Sequence, residues 1–416
     1  MSRKTYTFII ILVLIIIGFG AWWFFSRENS VQTGSTSSPQ ANQNLFPYGQ
    51  NTVTTPVSVA SSSNQGTVVV GGNSSASAAT LVHITTAPVS GYIFLSEGKN
   101  SSTSTIRYID RATGHIYDYY FDTGVTTGVT NTTVTKVYQG SFAASGSRVY
   151  LQTIDENNQI ETLSASLPPT ATTSPVALAA VSLLPKNIIS FATNGASLFY
   201  IVPSANGSVG YKGNLDGSKS SQVMSSGLSE LVAKWQSPTI TLATKPNAGV
   251  GGYLFDLNTK TGNLSSVLRN ITALTTLENP AGSFVFGSNL NNGTTESFIY
   301  NEKTGAARVV SVTTLADKCV WSNMSENIIY CAVPASISGN LPDDWYQGNV
   351  FLSGNNIWKI AADTGVTNIV DFLSNRNQNI DATNLVLDKN ENWVAFMNKE
   401  DLTLWALRVS SPGGQQ

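Results

Sequence analysis

Charge is scarce in this chain. Asp, Glu, Lys and Arg make up 12% of its 416 residues, about half the usual quarter. The net charge is −2, which gives no electrostatic footing for nucleic acid. Two cysteines and two histidines leave little material for metal or nucleophile chemistry. No G-x-S-x-G elbow, H-E-x-x-H pair or phosphate loop occurs, so the common signatures of hydrolases and nucleotide enzymes are missing. The expectation is a chain without cofactor, metal or catalytic residue.

What is present begins at the N-terminus. Arg3 and Lys4 precede Thr5–Ser26, 22 residues without a charge. About 20 apolar residues span a bilayer. Trp22 and Trp23 sit where an aromatic belt would anchor the span, and the basic pair puts the N-terminus in the cytoplasm. A cleaved signal peptide is the competing reading, but Gly18-Phe19-Gly20 is followed by more apolar residues, Trp22 to Phe25. The expected order is a cytoplasmic tail (1–4), a transmembrane helix (5–26) in the lipid bilayer and a flexible stalk (27–79). An extracytoplasmic domain (80–411) and a disordered tail (412–416) follow. The stalk is expected because no Asp, Glu, Lys or Arg occurs between Glu28 and Glu97, and Ser, Thr, Asn and Gly dominate.

From Thr80 onward the pattern is all-β. Runs of four to seven residues rich in Val, Ile, Tyr, Phe and Thr are broken by Gly, Asn, Asp and Ser. A polar turn followed by a dense apolar strand recurs, with strands starting at Tyr92, Val149, Leu198, Ile240, Phe284, Ile328 and Trp393. The steps are 57, 49, 42, 44, 44 and 65 residues, which fits four-stranded propeller blades with insertions. A second recurring element is Asp or Asn before Thr-Gly, at Asp110–Gly114, Asn258–Gly262, Asn301–Gly305 and Asp363–Gly365, with Asn214–Gly217 a weaker copy. Asp or Asn accepts turn amides and Gly takes a positive φ. Each copy is therefore expected to join the third strand of a blade to its outer fourth strand. The last unit has three strands, and Thr80–Ile84 is spare at the front. The expected fold is an all-β, seven-bladed β-propeller closed by that strand. Six or eight blades stay open, because the stretch between blades 2 and 3, "LPPTATTSPVALAAV", has room for another strand pair.

The unit "LDKNENWVAFMNKEDLTLWALRV" resembles the repeat of TolB-type, WD40-like propellers. The region that includes "RYIDRATGHIYDY" and "LPDDWYQG" also resembles single-span, membrane-anchored bacterial propellers. The second resemblance implies a tethered ring with no particular activity. The Ser-Pro-Asp-Gly turn of TolB is degenerate here, so TolB's partners do not carry over. Quinoprotein propellers also use a D-x-x-T-G turn, but with a docking Trp after it that the four main copies here lack.

Candidate site residues follow from local pattern. Cys319 and Cys331 lie six residues either side of a turn centred at Ser325, which makes them cross-strand neighbours. A disulfide is the first reading in an oxidising compartment, and two buried free thiols are the second. The longest insertion, Ser336–Gly354, carries Asp343, Asp344, Trp345 and Tyr346. Aromatics beside carboxylates suit sugar or peptide recognition, and the alternative is a loop folded over the ring with its Trp plugging the next blade. Arg107, Arg111 and His115 lie among tyrosines and make a second binding candidate. Asp388, Asn390 and Asn392 have the D-x-N-x-N spacing of a calcium loop without its Gly or distal Glu. The resulting expectation is a non-enzymatic scaffold for an envelope protein or glycan partner, with an envelope hydrolase as the alternative. A hydrolase would need ionisable groups converging on the ring axis, which linear sequence does not display.

Overall fold

The computed structural model describes residues 80–95, 103–235, 239–371, 373 and 379–409. All of them belong to one compact unit, Asn64–Gln416. The expected anchor (5–26), stalk (27–79) and tail (412–416) lie outside the described residues. No described helix is long and apolar enough to cross a membrane.

The described strands form seven antiparallel sheets of four, so the count is seven rather than six or eight. Blade 1 holds residues 89–128, blade 2 139–183, blade 3 190–226 and blade 4 231–272. Blade 5 holds residues 275–309 and blade 6 319–371. Blade 7 takes its three inner strands from residues 382–408 and its outer strand from Leu81–His83. In blades 1 to 6 the strands pair in chain order, as a meander requires. The ring closes where Leu81 pairs with Leu407, Val82 with Ala406 and His83 with Trp405. His83 also stacks on Trp405 with ring centroids 3.8 Å apart.

Seven buried apolar clusters fill the seven seams between consecutive blades. Tyr150 with Leu198 and Tyr200 fills the seam of blades 2 and 3. Leu254 with Val285 and Phe298 fills that of blades 4 and 5. Val89 and Ile106 with Leu404 and Ala406 close blade 7 on blade 1. Each strand supplies alternate residues to a seam, which is why the apolar runs are short and dense.

The Thr-Gly turns share one geometry. The Gly N–H donates to the carbonyl four residues back in Gly262→Asn258 and Gly305→Asn301, at 2.8 and 2.9 Å. Both glycines sit at positive φ, 75° and 69°. The Asn301 side chain accepts from the amides of Lys303 and Thr304, both at 3.0 Å. In blades 4, 5 and 6 the motif joins the third and fourth strands, and the weaker Asn214–Gly217 does so in blade 3. Blade 1 departs from the expectation. There Asp110–Gly114 joins the second and third strands, Thr105–Asp110 and Ile116–Tyr120. The third-to-fourth turn of blade 1 is instead Asp122-Thr123-Gly124, with Gly124 donating to Tyr120 O at 2.8 Å. The strand at Tyr92 is the innermost of its blade, whereas the other six dense runs are second strands.

Candidate functional site

The first strands of the blades line the axis, and a cavity of about 790 Å³ opens there. Its wall comes from Gln139 of blade 2, Leu231, Val232 and Lys234 of blade 4, and Thr275, Thr276 and Glu278 of blade 5. Ile189 beside blade 3, Asp317 beside blade 6 and Tyr346 of the insertion complete it. Three apolar or aromatic residues stay open in it: Ile189 is 38% exposed, Val232 39% and Tyr346 39%. Within a concavity they offer apolar contact surface to a ligand.

The polar groups fall into two sets. At one end Lys245 pairs with Glu230 at 3.2 Å. Tyr346 donates to Asp317 Oδ2 at 2.6 Å. Lys234 donates to Thr276 O at 3.0 Å, and burial lowers its pKa.

The second set is acidic. Glu278 ends the first strand of blade 5, Glu302 follows the third strand of that blade, and Asp256 lies in the third strand of blade 4. Glu278 is 3% exposed, and neither carboxyl oxygen meets an N–H or hydroxyl donor at hydrogen-bonding geometry, although the Thr241 hydroxyl lies beside it and the Glu302 carboxyl is close enough to share its proton. One oxygen each of Asp256 and Glu302 is likewise buried and unpartnered. Desolvation, then the neighbouring Glu302 and Asp256, pushes Glu278 up to about 8. Desolvation and the Asp256 charge push Glu302 up to about 7. Both causes disfavour a second and third negative charge in one low-dielectric space. Asp256 also lines a smaller cavity of about 390 Å³ with Lys212, Trp235 and Lys260.

The residues singled out from the sequence are placed as follows. Cys319 and Cys331 are opposite each other in register and joined by a disulfide. Trp345 is 3% exposed, as in the alternative of a Trp plugging the next blade and not as an exposed aromatic. It packs with Leu315, Leu341 and Leu352 and donates from Nε1 to Asp381 Oδ2 at 2.8 Å. Asp381 also pairs with the fully buried Lys318, so the insertion is bolted to blade 7. Asp343 Oδ2 accepts from Ala248 N at 3.0 Å and Asp344 Oδ2 from Asn340 N at 2.7 Å. Both carboxylates thus hold the insertion in shape, and Tyr346 is its contribution to the cavity.

Arg107 is completely buried, which corrects its assignment as a binding residue. It forks onto Asp118 at 2.7 and 2.9 Å and donates to Gly146 O and Pro168 O in blade 2, each at 2.8 Å. Arg111 and His115 lie at the Asp110 turn, away from the axial cavity. Arg111 N donates to Pro88 O at 3.0 Å and the His115 ring meets Thr133 Oγ1 at 3.0 Å. Asp388 is buried and accepts from Trp393 N of its own turn at 2.7 Å and from Ser104 Oγ beside blade 1 at 2.8 Å, while Asn390 is exposed. Asn392 is partly buried and lies one residue before Trp393. Among the described residues no group of three His, Cys, Asp or Glu side chains is set to hold a metal ion.

Sequence reasoning missed Lys234, Asp256, Glu278 and Glu302. The available signal was a charge inside an apolar first strand, in "LVAKW" and "TTLE".

Solved structures similar to this one are β-propellers and their enzymes. The oligogalacturonate lyase from Vibrio parahaemolyticus matches at TM-score 0.53 and 9% identity, over 81% of this chain and 95% of that one. The GH74 xyloglucanase from Xanthomonas campestris matches at TM-score 0.52 and 10% identity, over 80% of this chain and 54% of that one. TolB from Acinetobacter baumannii matches at TM-score 0.41 and 10% identity, over 62% of this chain. The match spans 59% of that TolB chain. What is shared is the fold. At these identities it brings neither substrate nor partner with it. No protein-family model matches the sequence, and no curated protein matches it.

Proposed function

We propose that the chain is a membrane-tethered, extracytoplasmic binding module. It takes part of a protein or glycan partner at the cell envelope into the axial cavity, without chemistry. One observation carries the reading: Ile189, Val232 and Tyr346 stay open within a cavity of about 790 Å³ beside unpaired polar groups. The tether is supported by the uncharged run Thr5–Ser26 behind Arg3 and Lys4. The compartment is supported by the Cys319–Cys331 disulfide.

The test uses the full chain in detergent against solubilised envelopes and a glycan panel. Val232→Trp fills the cavity at an already exposed position. A partner or glycan held by the wild type and released by Val232→Trp is the expected result. Equal retention by both refutes the cavity as the site. Protease added to intact cells should reach the ring, and full protection refutes the orientation.

A hydrolase reading has one observation in its favour. Glu278 keeps its proton to about 8, as a general acid working near neutrality does. Under that reading a captured glycan is cleaved and Glu278→Gln stops the release of product, whereas a binding module returns it intact.

A further inference from the structure

We propose that the acidic wall between blades 4 and 5 seats the cationic end of a ligand. An aliphatic chain ending in a guanidinium or ammonium group enters the axial cavity and meets Glu278, with Glu302 and Asp256 behind it. This rests on the reading that the axial cavity takes a ligand.

Four buried carboxyl oxygens here, Asp256 Oδ1, Glu278 Oε1 and Oε2, and Glu302 Oε1, accept from no N–H or hydroxyl group at hydrogen-bonding geometry, and the Glu278 and Glu302 carboxyls have each other and the Thr241 hydroxyl beside them. Among the described residues no lysine or arginine forms an ion pair with any of the three side chains. A buried unpartnered carboxyl carries the full cost of lost hydration. Three together add mutual repulsion. The fold offsets this by leaving protons on Glu278 and Glu302, and a cation from outside would offset it more completely.

The form of the cation follows from the same geometry. Among the described residues no three acidic, His or Cys side chains converge as a metal ion requires. A guanidinium holds its donors in a fixed planar fork and suits the neighbouring Glu278 and Glu302 carboxyls. The cavity that Glu278 lines also exposes Ile189 and Val232, apolar surface that covers a methylene stem while the charged head reaches polar ground.

The charged groups beside Glu278 and along the same cavity come from several elements. Lys234 lies on the first strand of blade 4, Asp256 on its third strand, Glu302 on blade 5, and Asp317 beside blade 6. Lys234 donates to Thr276 O and is depressed by burial. Asp317 accepts from Tyr346. Lys245 pairs with Glu230. The carboxyl cluster is therefore the part of the wall without a cationic partner, and a cation bound there displaces its proton. Binding is then weaker where Glu278 is protonated, by about tenfold for each pH unit below its pKa.

The experiment is calorimetric titration of the full chain in detergent with agmatine, a guanidinium on a four-carbon stem, at pH 6 and pH 8.5. Agmatine should bind at least about tenfold more tightly at pH 8.5, with proton release seen as a heat that changes with the buffer. Glu278→Gln and Glu302→Gln should each weaken binding and flatten the pH dependence. No binding to the wild type at pH 8.5, or binding unchanged in Glu278→Gln, overturns the proposal. Calcium binding that competes with agmatine overturns the choice of an organic cation. If agmatine elutes a captured partner, the cation is an arginine or lysine side chain of that partner. If agmatine binds without eluting it, the cation belongs to a free small molecule. A partner lost in Val232→Trp while agmatine fails to bind leaves the cavity reading standing and removes only this inference.

Discussion

Glu278 holds a proton that an exposed glutamate would have lost. Its folded pKa is raised from 4.5 to about 8. Above pH 4.5 the unfolded chain releases this proton while the fold keeps it, so the unfolded state binds fewer protons and stability falls as pH rises through that window. Glu302, pushed up to about 7, acts in the same direction. The effect is on the order of a few kcal/mol. The melting temperature of the wild type should therefore drop between pH 5 and pH 8, and Glu278→Gln should drop less. A wild-type melting temperature that rises across this range would place Glu278 in water. This residue was hard to read beforehand because its environment is assembled from two blades. Asp256 and Glu302 stand 22 residues before it and 24 after it in the chain. Arg107 misled for the same reason. Its cross-strand partner Asp118 is near in sequence, but the carbonyls of Gly146 and Pro168 that complete its shell belong to the next blade.

At the scale of the element, the sequence speaks through its turns. Thr-Gly marks a hairpin wherever Gly must take positive φ, and that mark was legible. Which hairpin it marks was not, because the turn chemistry is indifferent to strand position. Blade 1 carries two copies, at Asp110–Gly114 and Asp122–Gly124. The first drew attention and shifted the blade by one strand. The second strand of blade 1 begins at Thr105, 43 residues before the one at Arg148, so the irregular 57-residue step came from mixing first and second strands. The two glycines with the same φ, Gly114 and Gly305, separate strain from crowding. A Cβ on Gly305 meets nothing closer than Tyr300 Oη at 3.9 Å, whereas on Gly114 it would lie 2.6 Å from Val134 O. Gly305→Ala should cost about 1 kcal/mol for positive φ alone. Gly114→Ala should cost at least about twice that, because backbone must move. Denaturant unfolding of both variants checks the order, and a larger loss at Gly305 would contradict it.

At the scale of the molecule, a ring differs from a stack because its first and last blades also meet. A linear array of seven blades has six seams, and the cluster of Val89, Ile106, Ala395 and Leu404 supplies the seventh. The closing strand Leu81–His83 is short, yet Leu81 is buried with Trp405 and Leu407, and Arg408 N donates to Thr80 O at 2.9 Å. Blade 7 without that strand would expose the edge of Leu404–Arg408 to water, and exposed edges open first. Leu81→Asp places a charge into the cluster that blade 7 shares with Tyr330, Ala332 and Ile357 of blade 6. The expected loss is about 2–4 kcal/mol, from a lost apolar contact and a buried unpaired carboxylate. Amide exchange should rise first in residues 382–408, whose edge Leu81–His83 covers, and last in blades 3 and 4 across the ring. The disulfide of blade 6 keeps Cys319–Trp321 and Ile328–Val333 paired throughout. Opening should therefore run outward from blade 7 into blade 1 more readily than into blade 6. Uniform exchange around all seven blades would mean that the ring opens as a single unit and that the strand pairing at Leu81 is not its latch.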